Sequence, residues 1–364
     1  MRNPIHICYI GRTRLHRSQA NLIQTLQTIA GWRRLGCDVD LYLPPWPRGL
    51  DTEQHLQSMG VSHLPRLIRC PLLHPRFRFD PWVRLHAGTL RSYPIVYTRV
   101  VDISIALARA KIPHHLEIHD TRQILDHHQI ERVIAHHQTG LIQFLLPISQ
   151  NAASTLLNYG AVSERLHVAP SGVDLKAFSQ VAPWDPHRLQ RPHIIYLGRI
   201  SQATGSAIFS AIAQQTNCRV TLIGSADSLT GLPESLTLHP FISPREILPW
   251  YGEMDIALLP YQKNLDTVDS MSPVKLFEAM AAGRPIIASD LPTLREVIVH
   301  GENGLLVPPD QPEAWIQAIE TLQAHPDLAQ KLADAARRCA ERFSWDQRAS
   351  GILERIAPAL RPNG

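Results

Sequence analysis

The chain of 364 residues holds only five cysteines (Cys8, Cys37, Cys70, Cys218 and Cys339), an odd number with no close pair. That spacing supports neither a disulfide framework nor a zinc site, so no metal is expected. No apolar run reaches membrane-spanning length; the longest, residues 141–148, is broken by Gln143 and Pro147. The opening MRNPIHICYIG lacks the long apolar segment of a secretory leader and enters a strand pattern at once, so a cytoplasmic protein is expected. Basic residues are dispersed and lack interleaved aromatics, which argues against a nucleic-acid partner. Short internal repeats and low-complexity tracts are also missing.

What is present describes an ordinary globular chain, 44% hydrophobic and 19% charged. Its length exceeds one typical core, so two domains are the default. The net charge of +4 is unevenly spread. Residues 1–150 hold 18 Lys plus Arg against 10 Asp plus Glu, a balance of +8, while the remainder holds 18 against 22, a balance of −4. A basic first half favours an anionic partner molecule or the inner face of an anionic membrane.

Short apolar runs alternate with helical stretches, which predicts parallel sheets with crossover helices. Candidate strands in the first half are residues 5–10, 39–43, 95–98, 115–118, 141–148 and 166–169. The second half restarts at 194–197 and continues through 219–223, 236–239, 256–259, 285–288 and 305–307. Residues 18–35, apolar at 22, 26, 29, 30 and 32, form an amphipathic helix ended by Gly36. A proline-rich stretch, 181–192, reads as a linker, and a helical tail from 313 to 360 is interrupted near Pro326 and at Phe343-Ser344-Trp345. Ligands of such open sheets bind outside the carboxyl ends of the strands, and the cleft between two sheets is the natural site.

The densest stretch is SPVKLFEAMAAGRPIIASD, residues 272–290. Ser272 is placed to cap a helix with Pro273 in its first turn, Gly283 ends it, and a buried strand follows. Lys275 and Glu278 lie three apart and share a face. A helix start of Ser272 and Val274, with lysine in the first turn, suits a diphosphate; a glutamate one turn deeper suits a ribose diol. An ordinary salt bridge on a core helix is the bland alternative.

This segment resembles the donor-binding segment of the family-4 glycosyltransferases, retaining enzymes of two-domain GT-B fold. The run TLREVIVHGENGLLVPPDQPEAW (293–315) continues the likeness through Glu296, Gly301, Asn303, Gly304 and Pro308. The resemblance implies an acceptor-side Rossmann-like domain at 1–180, a linker at 181–192 and a nucleotide-sugar domain at 193–342. It further implies a helix at 343–364 returning to the first domain, two parallel-sheet domains facing a cleft, and no cofactor beyond the nucleotide-sugar co-substrate.

Several residues take roles from the same likeness. Gly198-Arg199 resembles the motif that holds the leaving diphosphate, with Lys275 and Glu278 beside it. Gly224, Phe241 and Ile242 fall at strand ends on the donor side, and Gly11 ends the first strand where relatives approach the phosphates. Two positions depart from the pattern: Thr204 stands where a lysine is usual, and Ser270 where the first of two glutamates is usual, with Asp269 as its nearest replacement. In the first half, His119 would approach the transferred sugar, titrating near neutrality. Asp120, Arg12, Asn21 and Arg99, with Ser18 and Gln19, would line the acceptor side. The pairs His127-His128 and His136-His137 read as a solvated helix face.

The expectation is a metal-independent retaining hexosyltransferase, using a UDP- or GDP-sugar and a sugar, polysaccharide or lipid-linked acceptor. A nucleotide-sugar epimerase would isomerise its donor with no acceptor added, and a catalytically weak scaffold would bind a nucleoside diphosphate without turnover.

Overall fold

A computed structural model describes residues 4–16, 20–74, 76–227 and 232–357. The chain folds as two compact units. The first comprises the chain up to Ser171, Asp269–Met271 and the stretch from Trp345; the second comprises Gly172–Val268 and Ser272–Ser344.

The first unit is a parallel sheet of β1 (His6–Ile10), β2 (Asp38–Leu43), β3 (Arg66–Arg69), β4 (Ile95–Thr98), β5 (His114–Ile118) and β6 (Ile142–Pro147), in the order β3-β2-β1-β4-β5-β6 among the described residues. Tyr9 stands level with Leu41 on one side and Tyr97 on the other. The inner strands β1, β4 and β5 are almost wholly buried, the pattern of a parallel sheet covered on both faces. Tyr9, Tyr97 and Trp32 form an aromatic cluster, with ring centroids 5.1–6.3 Å apart. Trp32, on the helix Ala20–Arg34, donates to the Ala349 carbonyl at 3.1 Å. The helix Trp345–Ile356 lies so close there that a Cβ on Gly31 would come within 2.6 Å of Ala349 Cβ. Gly36 ends the helix Ala20–Arg34 at φ +85°, a conformation that favours glycine. Ser18 and Gln19 lie outside the described residues.

The second unit holds β7 (His193–Leu197), β8 (Arg219–Ile223) and β9 (Leu236–His239) in one ladder, and β10 (Ala257–Leu259), β11 (Ile286–Ser289) and β12 (Leu305–Val307) in another. A parallel bridge between Ile194 and Ile256 connects them. Its core gathers Ile194, Phe209, Leu222, Trp315, Leu322 and Leu332.

Three details differ from the sequence reading. Residues 181–192 are not a linker: Trp184 and Leu189 are buried in the second core, and Trp184 Nε1 donates to the Asp255 carbonyl at 2.9 Å. The first unit therefore ends at Ser171, since apolar side chains among the prolines find a core to enter in the second. Residues 166–169 make a single bridge from Leu166 to Leu145 and no strand. Strand β3, by contrast, was hidden: its sequence RLIR places arginines at both ends of an edge strand, and Arg66 forks onto the Asp40 carboxylate at 2.8 and 2.7 Å while Arg69 donates to the Trp46 carbonyl. No helix among the described residues is long and apolar enough to cross a membrane.

Candidate functional site

In the second unit, β7 runs into Gly198 and β8 into Gly224. Both take positive φ, +150° and +144°. A Cβ on Gly224 would sit 2.1 Å from the Gly198 carbonyl oxygen, and one on Gly198 would sit 2.4 Å from Lys275 Cε and 2.7 Å from Nζ. These glycines therefore bring the two strand ends and the lysine into one cluster that no other side chain would allow.

The helix that carries the lysine is Val274–Ala281, one residue shorter at its start than expected. Pro273 is the N-cap, with ψ 120°, and Ser272 lies outside the helix. A proline followed by extended backbone cannot join the first turn, which closes instead by Leu276 N–H on the Pro273 carbonyl at 3.0 Å. Gly283 ends the segment at φ +64°.

Lys275 and Glu278 each meet a tyrosine rather than form a simple surface pair. Lys275 Nζ stands 5.4 Å from the Tyr196 ring centroid and hydrogen-bonds Tyr261. Burial works against its charge, but the phenolic oxygens of Tyr196 and Tyr261 and the Glu278 carboxylate raise its pKa, so it stays an ammonium. Glu278 accepts from the Tyr251 hydroxyl at 2.8 Å. Burial pushes the Glu278 pKa up, against the pull of Tyr251 and Lys275. Arg199 is exposed and forks onto Asp227 with both bonds at 3.1 Å. Val274 and Ile242 are half-buried and Phe241 is exposed.

Thr204, where a lysine was expected, is buried and closes a capping box with Ser201, donating to the Arg199 carbonyl at 2.9 Å. Asp269 does not join this cluster. It groups with the first unit, where Arg122 holds its carboxylate at 2.7 Å and Asn151 its carbonyl at 2.6 Å. Ser270, the position of the absent glutamate, is buried and donates to the His119 carbonyl at 3.1 Å.

The first unit encloses a cavity of about 660 Å³ at the carboxyl ends of its strands, and Gly11, Arg12, Asn21, Arg99, His119 and Asp120 all line it. Residues spread over more than a hundred positions thus meet. Gly11 follows β1 so closely that a Cβ would approach Leu43 Cδ2 to 2.8 Å. Arg99 donates to the Asn21 carbonyl at 2.9 Å, and Arg12 stands 3.9 Å from Asp102. Asp120 is engaged as the N-cap of the helix Thr121–Asp126, accepting from Gln123 N–H at 2.9 Å.

His119 does not titrate near neutrality as the sequence suggested. Burial, reinforced by the Arg99 charge, lowers its pKa to about 4, so the ring is neutral. Nor are the histidine pairs a uniformly solvated face: His137 is fully buried, with Nδ1 3.0 Å from the Ile142 carbonyl.

Residues 191–325, inside the second unit, match the family model described as glycosyl transferases group 1. The second unit thus contains a stretch that matches the group 1 glycosyltransferases. The chain is 28% identical over 229 residues to the D-inositol 3-phosphate glycosyltransferase of Xylanimonas cellulosilytica, covering 56% of this chain and 54% of that protein. It thus spans about half the length of that curated relative. Among solved structures, sucrose-phosphate synthase from Thermosynechococcus elongatus aligns over 98% of this chain and 100% of its own, at 19% identity and a TM-score of 0.76. The Anabaena protein HepE in complex with UDP aligns over 97% and 100%, at 17% identity and a TM-score of 0.75. The fold is accordingly that of the GT-B glycosyltransferases.

Within the matched stretch, sequence reasoning missed Tyr196, Tyr251 and Tyr261, which surround Lys275 and Glu278. Only their places next to apolar runs hinted at them. Outside it, Glu117 and Arg348 were missed; a carboxylate inside the apolar strand LEI was the available signal.

Proposed function

We propose that the protein is a retaining, metal-independent glycosyltransferase that moves a sugar from a nucleoside-diphosphate donor to an anionic acceptor. The observation that carries this reading is the junction of Gly198, Arg199 and Lys275 at strand ends inside the stretch that matches the group 1 glycosyltransferases. A permanently charged guanidinium and a half-buried ammonium there suit the two phosphates of a leaving diphosphate. Glu278, one turn deeper, suits the ribose hydroxyls.

The C1–O bond to the diphosphate breaks through an oxocarbenium-like transition state, and the acceptor oxygen bonds to C1 on the same face. Its proton passes to an oxygen of the departing diphosphate, so no protein nucleophile is needed. Arg199 and Lys275 stabilise charge as it develops. The acceptor occupies the first unit's cavity, where Arg12 and Arg99 suit a phosphate or carboxylate; the relative named above acts on an inositol phosphate. Phe77 and Leu85 are exposed within a short stretch of chain that also exposes Arg76, Arg78 and Arg84, a composition suited to an anionic bilayer surface. Sedimentation with anionic and neutral vesicles tests that association: equal recovery with both argues against it.

Thermal unfolding of the protein with UDP, GDP, ADP and their sugars, with and without EDTA, tests the donor site. A rise selective for one diphosphate and indifferent to EDTA is expected. No rise with any nucleotide would overturn the reading. A rise without turnover over a broad acceptor panel would instead favour the scaffold, to which Thr204 and Ser270, both spent on structural hydrogen bonds, also point.

A further inference from the structure

His119 is one end of a buried chain of polar contacts that reaches the last helix. Its Nε2 meets Glu117 Oε1. The same carboxylate takes the Arg348 guanidinium at 2.8 Å and the Tyr97 hydroxyl at 2.5 Å. Arg348 in turn donates to Thr28 Oγ1 at 2.7 Å and to the Pro170 carbonyl at 2.9 Å. The side chains of Glu117 and Arg348 are only 3% and 4% exposed.

A buried ion pair is a poor device for stability alone, because desolvation offsets most of the attraction, and apolar side chains of similar volume would serve as well or better. Its place explains it better: it joins the His119 ring, which lines the cavity at the end of β5. The Glu117 carboxylate can only accept, since Arg348 and His119 outweigh burial and keep it ionised. The histidine Nε2 therefore carries the proton. A neutral ring with its proton on Nε2 keeps a lone pair on Nδ1. Other charges around the ring are Arg99, Arg348 and the cavity groups Arg12, Asp102 and Asp120; the two nearest arginines oppose a second proton. Ser270 fixes the His119 carbonyl besides.

We propose that Glu117 and Arg348 are positioning residues for the transfer, which lock His119 in its Nε2–H tautomer so that Nδ1 serves as a fixed hydrogen-bond acceptor for a substrate hydroxyl in the first unit's cavity. This rests on the transferase reading above. It makes the last helix, more than two hundred residues along the chain, a part of the site rather than a structural brace.

Nitrogen-15 spectroscopy of histidine-labelled full-length protein reads the tautomer directly, without substrate. The expected result is His119 in the Nε2–H form and untitrated from pH 6 upward; a ring protonated on Nδ1, or titrating near neutrality, would overturn the proposal. In turnover, Glu117→Ala is expected to lower kcat on the order of 10- to 100-fold, the usual scale for residues that orient a histidine, while donor KM stays nearly unchanged. The same substitution placed on His119→Ala should cost nothing further, because its effect runs through the ring. A full additional loss in that double variant would show a merely structural role and sink the idea. Should Glu117→Ala fail to fold, Glu117→Gln and Arg348→Lys carry the same comparison, with thermal unfolding as the check. If no donor supports turnover, the transferase reading fails on its own, and the spectroscopy still decides the tautomer.

Discussion

In the second unit, Lys275 and Glu278 lie three residues apart on one helix, and the Lys275 side chain packs directly against Gly198. The first unit's cavity instead draws Gly11, Asn21, Arg99 and His119 from three strand ends and the start of a helix. The first arrangement is written in a continuous stretch of chain; the second exists only once the sheet has formed. A diphosphate makes the same demands whatever sugar it bears, so a short contiguous segment suffices. An acceptor pocket has no fixed chemistry, and its residues need only meet in space.

The comparison breaks most sharply at Lys275. Lys275→Ala is expected to lower kcat/KM on the order of 100-fold or more, the scale of removing one preorganised charge donor. Acceptor binding in the first unit's cavity should be unaffected by it. Steady-state kinetics with donor and acceptor varied separately checks this, and a loss confined to acceptor KM would reverse the assignment of the two units.

Acid sharpens it next. Burial lowers the pKa of His114 to about 4, of His115 to about 3 and of His119 to about 4 in the first unit, and of His193 to about 4 in the second. Unfolded histidines take up protons near pH 6.5, so between there and pH 4 the unfolded chain binds more protons than the folded one. Stability is therefore complete above pH 6.5 and falls below it, by up to about 1.4 kcal/mol per pH unit for each fully buried ring. The first unit, which also holds His136, His137 and His167 with lowered pKa, carries more such histidines than the second and is the more acid-labile. Hydrogen exchange followed from pH 7 to pH 5 should show protection lost there first; simultaneous loss in both units would contradict the count.

Gly198→Ala adds a Cβ at φ +150° against Lys275, and is expected to cost on the order of 1–3 kcal/mol. Thermal unfolding measures that cost, and a nucleotide titration reads the displaced lysine. The smallest effect belongs to Thr204→Lys. Loss of the capping contacts should cost about 1 kcal/mol, and the side chain starts from a buried position, so donor affinity should not improve. A tighter diphosphate in that variant would show that the usual family lysine has room after all.

Parts of this were legible beforehand. Parallel α/β architecture followed from alternating apolar runs, and the helix stop at Gly283 from its residue type. The buried fate of residues 181–192 was not legible, because Trp184 and Leu189 sit among prolines that mimic a linker. Glu117 could not be placed either. A carboxylate within a strand reads as an edge residue until a guanidinium from the last helix is seen beside it.

By itself the sequence determined which residues make up the proposed diphosphate site, because glycine, arginine, lysine and glutamate come together there through local backbone geometry and short spacing. The tertiary structure alone decided the first unit's cavity, the neutral state of His119 and its tie to Arg348. Those depend on burial and on neighbours remote in the chain, and desolvation is a property of packing that no local stretch of residues carries.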